Sequence, residues 1–200
     1  MEERRSQYPD YNVLTQVKEW DPHTREIVLK RLGPFPPPKF LQQGEVEMIK
    51  NIARHLTFDN RNEILDYVVF YSDEKLASEI GESERKPGVP KEKDLIRLGL
   101  KAIGDSAERI HQAKFPELDQ KKQCAILAAL QNGQAQGIPD WDKVLQQALF
   151  KKLTELIISA YYSHPTIWSE IGYGGPAYPR GYVRIEPGLT DPWEAKRNDS

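Results

Sequence analysis

Apolar residues recur at intervals of three and four through the middle of the chain, which is the period of an α-helix. Ile49, Ile52, Ala53 and Leu56 form one stripe, and Ile64, Tyr67, Val68 and Tyr71 form a second. Leu95, Leu98, Gly99, Ala102 and Ile103 form a third, continued by Ala107 and Ile110. Cys124, Ile126, Leu127 and Leu130 fit a fourth helix, with Asp119 placed to cap its start and Gly133 placed to end it. Leu145, Leu149, Leu153, Leu156, Ile157, Ala160 and Tyr161 fit a fifth, with Asp140 as its cap. Pro165 stops that helix, because a proline pushes the residue before it, His164, out of the helical region. Sustained two-residue alternation is missing, and Val183 to Ile185 is the best candidate for a short strand.

The helical pattern fades toward both ends. Six of the 15 prolines precede Gly44 and five follow Ser163, so the ends read as extended where the middle reads as helical. In GPFPPPKF, Pro34, Pro36, Pro37 and Pro38 fix their own φ and restrict their neighbours. Three of the four tryptophans, Trp20, Trp168 and Trp193, also lie in the ends. Extended chain cannot hide such rings by itself, so they must lie on something. Glu82 to Asp94 reads as a charged connector. The expected architecture is all-α: a single domain over residues 1–200, with a bundle of about five helices at 44–163. Arms rich in proline and aromatic residues flank it at 1–43 and 164–200.

Composition narrows the function. A net charge of −2 leaves no basic excess for a nucleic acid, so nothing in the composition suggests a polyanion-binding surface. The mean hydropathy of −0.66 is low for a self-sufficient globule and points toward order gained from a partner. One cysteine, Cys124, permits no internal disulfide. Set among alanines, it reads as a small buried hydrophobe. No stretch approaches the roughly 20 apolar residues that span a bilayer, so no membrane insertion is expected. Arg4 and Arg5 form a twin-arginine pair, but polar Ser6, Gln7, Tyr8, Pro9 and Asp10 follow where an export signal needs apolar residues. The expected location is therefore cytoplasmic, and periplasmic only if the chain is exported with a partner.

The segment SHPTIWSEIGYGGPAYPRGYVRI holds the candidate chemistry. Gly172, Gly174 and Gly175 suggest a phosphate loop, but they follow a helix, run into Pro176 and lack a GK[ST] element. They read instead as a structural turn that permits positive φ or close backbone approach. His164 and Glu170 could form an acid–base or metal pair, yet no third ligand stands at a recognisable spacing. His164 reads more naturally as a cap on the C-terminal carbonyls of the preceding helix. Tyr161, Tyr162, Trp168, Tyr173, Tyr178 and Tyr182 form a dense aromatic series with Arg180. Nucleic-acid stacking would need more positive charge around them. Packing on the chain's own helices and contact with a protein partner both remain open, for different rings.

These residues resemble a family. AYYSHPTIWSEIGYGGPAYPRGYVRI is similar to the C-terminal signature of the gluconate 2-dehydrogenase subunit 3 family. WDPHTREIVLKRLG, FLQQGEVEMIKNIARHL, LIRLGLKAIGDSAERIHQAKFPELDQKKQCAILAALQNG and DPWEA resemble further parts of it in the right order, so the likeness spans nearly the whole chain. The resemblance implies a small non-catalytic subunit. Its partner would be a large FAD-containing dehydrogenase subunit of the glucose-methanol-choline type, joined in some complexes by a cytochrome c subunit. The FAD would sit in that partner, with no cofactor and no metal bound by this chain. Family members often carry a twin-arginine signal that exports the partner, and this sequence departs there. Tyr161, Tyr162, His164, Trp168, Tyr173, Tyr178, Arg180 and Tyr182 are the expected partner contacts, with Gly172, Gly174, Gly175 and Pro176 setting the path of the arm. The competing readings are a stand-alone small enzyme using His164 and Glu170, and a self-associating structural protein.

Overall fold

The computed structural model describes residues 6–78, 86–184, 186 and 188–196. Among them are seven α-helices, two short 3-10 segments and no strand. The fold is all-α. Val183 and Arg184 are irregular rather than extended in a sheet, and Ile185 lies outside the described residues. Glu82 to Arg85 of the expected connector also lie outside them, while Glu92 to Asp94 are already the first turn of a helix.

The chain divides into two compact units. One is residues 35–160, and the other joins 1–34 to 161–200. The first contains the five periodic helices: α2 (Gln43–Thr57), α3 (Asn62–Ala77), α4 (Glu92–His111), α5 (Gln120–Asn132) and most of α6 (Lys143–Tyr162). The second contains α1 (Pro22–Lys30) and α7 (Pro165–Ile171), with a 3-10 turn at Val13–Glu19. Both extra helices open on a proline at the first helical position, behind the caps Asp21 and His164. Proline's fixed φ suits that position, and its missing N–H would be unpaired there in any case. The ends are therefore less extended than their composition suggests.

In the 35–160 unit, α2 packs on α3 and α4, α3 on α4, and α4 on α5. Gly99 lacks a Cβ where the Leu149 side chain of α6 presses against α4. Ile49, Ile52, Ala53, Ile64, Tyr67 and Val68 are buried as their stripes require. The α4 stripe differs in phase: Leu98 and Ile110 are exposed, and Ile96 and Leu100 are buried in their stead. The proline-rich segment finds its support through Phe35, which stacks on Phe70 at 4.9 Å and meets Tyr67 at 5.9 Å.

Asp73 of α3 fastens the stretch of chain between these prolines and α2. Its carboxylate accepts the backbone N–H groups of Lys39 at 2.7 Å, Phe40 at 2.9 Å and Leu41 at 2.7 Å. Glu45 then accepts the Gln42 N–H at 2.8 Å, closing the start of α2. Arg97 of α4 grips the same corner. It donates to Glu45 at 3.0 Å and to the Phe40 carbonyl at 2.6 Å, and lies over the Phe40 ring.

The helix ends agree with the sequence except at α6. Asp119 Oδ1 accepts the Lys122 N–H at 2.9 Å, and Gly133 closes α5 at φ +68°. Asp140 does not cap α6. Asp142 does, accepting the Leu145 N–H at 2.8 Å. The Asp119 cap has a pH signature. The backbone bond from Lys122 holds its carboxyl below the usual carboxylate value. A lowered folded-state pKa contributes stability above the unfolded value and loses it as pH falls through the folded one. The Asp119→Ala variant is therefore expected to melt below the wild type at neutral pH. The two thermal midpoints should converge in acid, below the ordinary carboxylate range. Parallel thermal scans across that range check this.

Candidate functional site

The unit formed by the two chain ends is knitted by aromatic rings against bare backbone. Its centre is Val13, Trp20, Val28 and Trp168, with Tyr11, Leu14 and Val17 packed around them. Full burial of such side chains is worth about 1.5 to 3 kcal/mol each relative to exposure. The two ends also exchange hydrogen bonds. Tyr11 Oη donates to the Trp193 carbonyl at 2.7 Å, the Val13 N–H to Ser169 Oγ at 3.1 Å, and Ser6 Oγ to the Glu170 carbonyl at 3.0 Å. The rings that had to lie on something thus lie on the opposite end of the chain.

The glycines are where the rings come closest. Gly172 ends α7 in the left-handed region at φ +77°, and the Tyr173 N–H returns to the Trp168 carbonyl at 2.8 Å. A Cβ on Gly172 would stand 2.5 Å from the Tyr8 ring. One on Gly174 would stand 2.7 Å from the Trp193 ring, and one on Gly175 2.7 Å from the Trp20 ring. Arg180 then folds the tail back. It donates to the carbonyls of Gly174 at 2.9 Å and Pro176 at 3.0 Å, and its guanidinium lies 4.5 Å from the centre of the Trp193 ring. Burial lowers the Arg180 pKa from its ordinary value, yet arginine stays cationic throughout the physiological range. Asp191, fully buried, accepts the N–H groups of Val183 and Arg184, each at 2.8 Å.

On this framework the expected contact residues separate into two groups. Tyr161, His164 and Trp168 are buried. Trp168 donates its indole N–H to the Tyr162 carbonyl at 2.7 Å, and Arg31 lies over its ring while donating to the Ser163 carbonyl at 2.7 Å. Tyr162, Tyr173, Tyr178 and Tyr182 are exposed, the last two at 69% and 66%. Val183 and Leu189 add exposed apolar surface nearby in sequence. Partial desolvation, where the Tyr173 ring meets the edge of Trp168, pushes its phenol above the ordinary value.

His164 stands as the N-cap of α7, where its ring accepts the Thr166 N–H at 3.2 Å. Proline explains this cap: the extended backbone that Pro165 imposes on His164 is also the conformation an N-cap needs. Glu170 stands six residues later, about 9 Å along the helix axis and about 240° around it. On a regular helix those two positions lie on different faces. Trp20 finds the support that its place in the arm demands, while Tyr8 and Tyr11, which pack with it in this unit, are marked in the sequence only by the aromatic content of that arm.

The 35–160 unit carries two other features. An open groove of about 360 Å³ runs beside α4, lined by Leu98, Ile138, Trp141 and Leu145 among others, with Arg109 on its wall. Its Lys101 and Asp105 are paired with each other at 2.7 Å. Cys124, in turn, is exposed rather than buried, with Sγ 3.3 Å from His55 Nδ1. The α5 stripe turns it outward while Ile126, Leu127 and Leu130 face in. No cluster of three or more potential metal ligands occurs among the described residues, and no helix there is long and apolar enough to cross a membrane.

Comparison with known proteins identifies a family. The family model described as Gluconate 2-dehydrogenase subunit 3 matches residues 46–175, which takes in all of α3 to α7 and the glycine turn. The match is narrower than the resemblance suggests, leaving the N-terminal arm and the tail beyond Gly175 outside it. No curated protein and no solved structure matches the chain. A match over well more than half of the 200 residues, ending at the turn that the aromatic rings close upon, places this chain in the gluconate 2-dehydrogenase subunit 3 family.

Proposed function

We propose that the chain is a non-catalytic small subunit that binds a large FAD-dependent dehydrogenase subunit and assists its assembly or stability. The substrate of that partner would be a sugar or sugar acid, and FAD would reside in the partner. A cytochrome c subunit fits as a further member of such a complex. The complex would form in the cytoplasm, and would reach the periplasm only by export together with the partner. The observation that carries this reading is the set of exposed rings Tyr173, Tyr178 and Tyr182 on a tail whose path is pinned by hydrogen bonds, with Tyr162 exposed at the end of α6. Tyrosine anchors cost little entropy on binding when their backbone is already ordered. Tyr161, His164, Trp168 and Arg180 then serve the interface indirectly, by holding the tail.

Co-expression with an FAD-binding large subunit of the glucose-methanol-choline type tests this. The tagged wild-type chain should retain the flavoprotein, read by flavin absorbance in the eluate. The Tyr178→Ala/Tyr182→Ala double variant removes two exposed rings and leaves the buried core intact. It should weaken retention by about 30-fold or more, since a central anchor is worth about 2 kcal/mol or more. Unchanged retention by the double variant would refute the assignment of the site. A defined homo-oligomer in light scattering, with no flavoprotein bound, would favour self-association instead.

A further inference from the structure

From the geometry around Cys124 we infer that this thiol is activated by His55 and forms a mixed disulfide with a small disulfide by thiol–disulfide exchange. The argument rests on three side chains from two helices. His55 stands in the last turn of α2, and Gln123 and Cys124 stand side by side on α5. The imidazole lies between them, with Nδ1 3.3 Å from Cys124 Sγ and Nε2 2.5 Å from Gln123 Oε1.

The protonation of the ring is set by the third partner. The Gln123 amide nitrogen donates to the Phe115 carbonyl at 2.7 Å, and a carbonyl can only accept. That bond fixes the amide orientation, so Oε1 is the atom facing His55 and must receive a proton from it. His55 Nε2 therefore carries the hydrogen. In the neutral ring the free lone pair is then on Nδ1, aimed at the thiol. Gln123 is buried at 5% exposure, so the orienting bond is sheltered from water. A nucleophile, a base in reach of it and a group that sets the tautomer of the base are the three parts of an activated thiol. Access is open, because Cys124 and its neighbours Ala125 and Ala128 are exposed. Lys121, one helical turn earlier on the same face, supplies a positive charge suited to an anionic disulfide such as the glutathione type.

The exchange balances without further reagents. The S–H proton passes to Nδ1, and the thiolate attacks one sulfur of R–S–S–R. The Cys124 S–S–R bond forms as the old S–S bond breaks, and the departing RS⁻ takes the proton from Nδ1. Cys124 is oxidised and the departing sulfur is reduced, with the disulfide as oxidant.

The full-length chain is tested with 5,5′-dithiobis(2-nitrobenzoate) at neutral pH, followed by the colour of the released thiolate. The folded wild type should react about tenfold or more faster than the same chain unfolded in guanidinium, where Cys124 has no base beside it. The His55→Gln variant should fall to the unfolded rate or below while keeping native helix content by circular dichroism. Glutathione disulfide should add once per folded chain by intact mass. A folded thiol no faster than the unfolded one overturns the proposal, and that comparison needs no variant. A folded His55→Gln variant reacting as fast as wild type also overturns it, as does the absence of the glutathione adduct.

Discussion

Asp73→Ala is expected to lower the free energy of unfolding of the 35–160 unit by about 3–4 kcal/mol. The carboxylate is 3% exposed and accepts three consecutive backbone N–H groups, those of Lys39, Phe40 and Leu41. A hydrogen bond to a charged group contributes about 1.5–3 kcal/mol, and a buried donor left without an acceptor costs its full desolvation. Alanine removes every acceptor at once. The loss also spreads, because the segment Asp73 holds leads directly into α2 and carries the Phe40 ring on which Arg97 lies. Asp73→Asn should cost less. One amide oxygen can replace Oδ1, which accepts from both Phe40 and Leu41, and only the bond from Lys39 to Oδ2 is forfeited. Denaturant titration followed by the helix signal measures both variants. Equal small effects, below about 1 kcal/mol, would mean that the three N–H groups find water instead and that Asp73 is no fastening.

Gly175→Ala should destabilise the unit formed by the chain ends by about 3 kcal/mol, through two separable causes. The first is conformational. At φ +78° an L-residue pays about 1 kcal/mol that glycine does not. The second is steric. The new Cβ would stand 2.7 Å from Trp20 Cζ2 and 3.2 Å from Val13 Cγ2, and both residues are buried in the centre of the unit. Gly181 separates the causes, since its φ is +74° and nothing lies within 4 Å of an added Cβ. Gly181→Ala should therefore cost only the conformational part. Tryptophan fluorescence reads the result, because three of the four tryptophans belong to this unit and only Trp141 does not. If the two glycine variants prove equally destabilised, the close approach of Trp20 to the turn is not rigid. Gly175→Ala should also weaken retention of the flavoprotein, because the exposed tyrosines are carried by the same tail.

The number, period and order of the five central helices are legible in the sequence, and so is the all-α class. A helix that buries one face repeats its apolar residues every three or four positions whatever it packs against, so α2 to α6 announce themselves locally. The caps are local too. Asp119 and Gly133 act within one turn of their own positions. The need for glycine at 172–175 was equally visible as a turn.

The tertiary structure alone decided what those glycines admit, and which residues of the tail face outward. Tyr161, Trp168, Tyr178 and Tyr182 look alike as sequence, yet two are buried and two are exposed. The sorting depends on partners such as Tyr11 and Trp193, which stand 182 positions apart in the chain. His55 and Cys124 meet across 69 positions, and no pattern in either helix records the meeting. Periodicity carries the geometry of one element, whereas the pairing of faces depends on contacts between distant segments. Which side chains end up touching, and with them the chemistry that can occur, is therefore set only when the elements close upon one another.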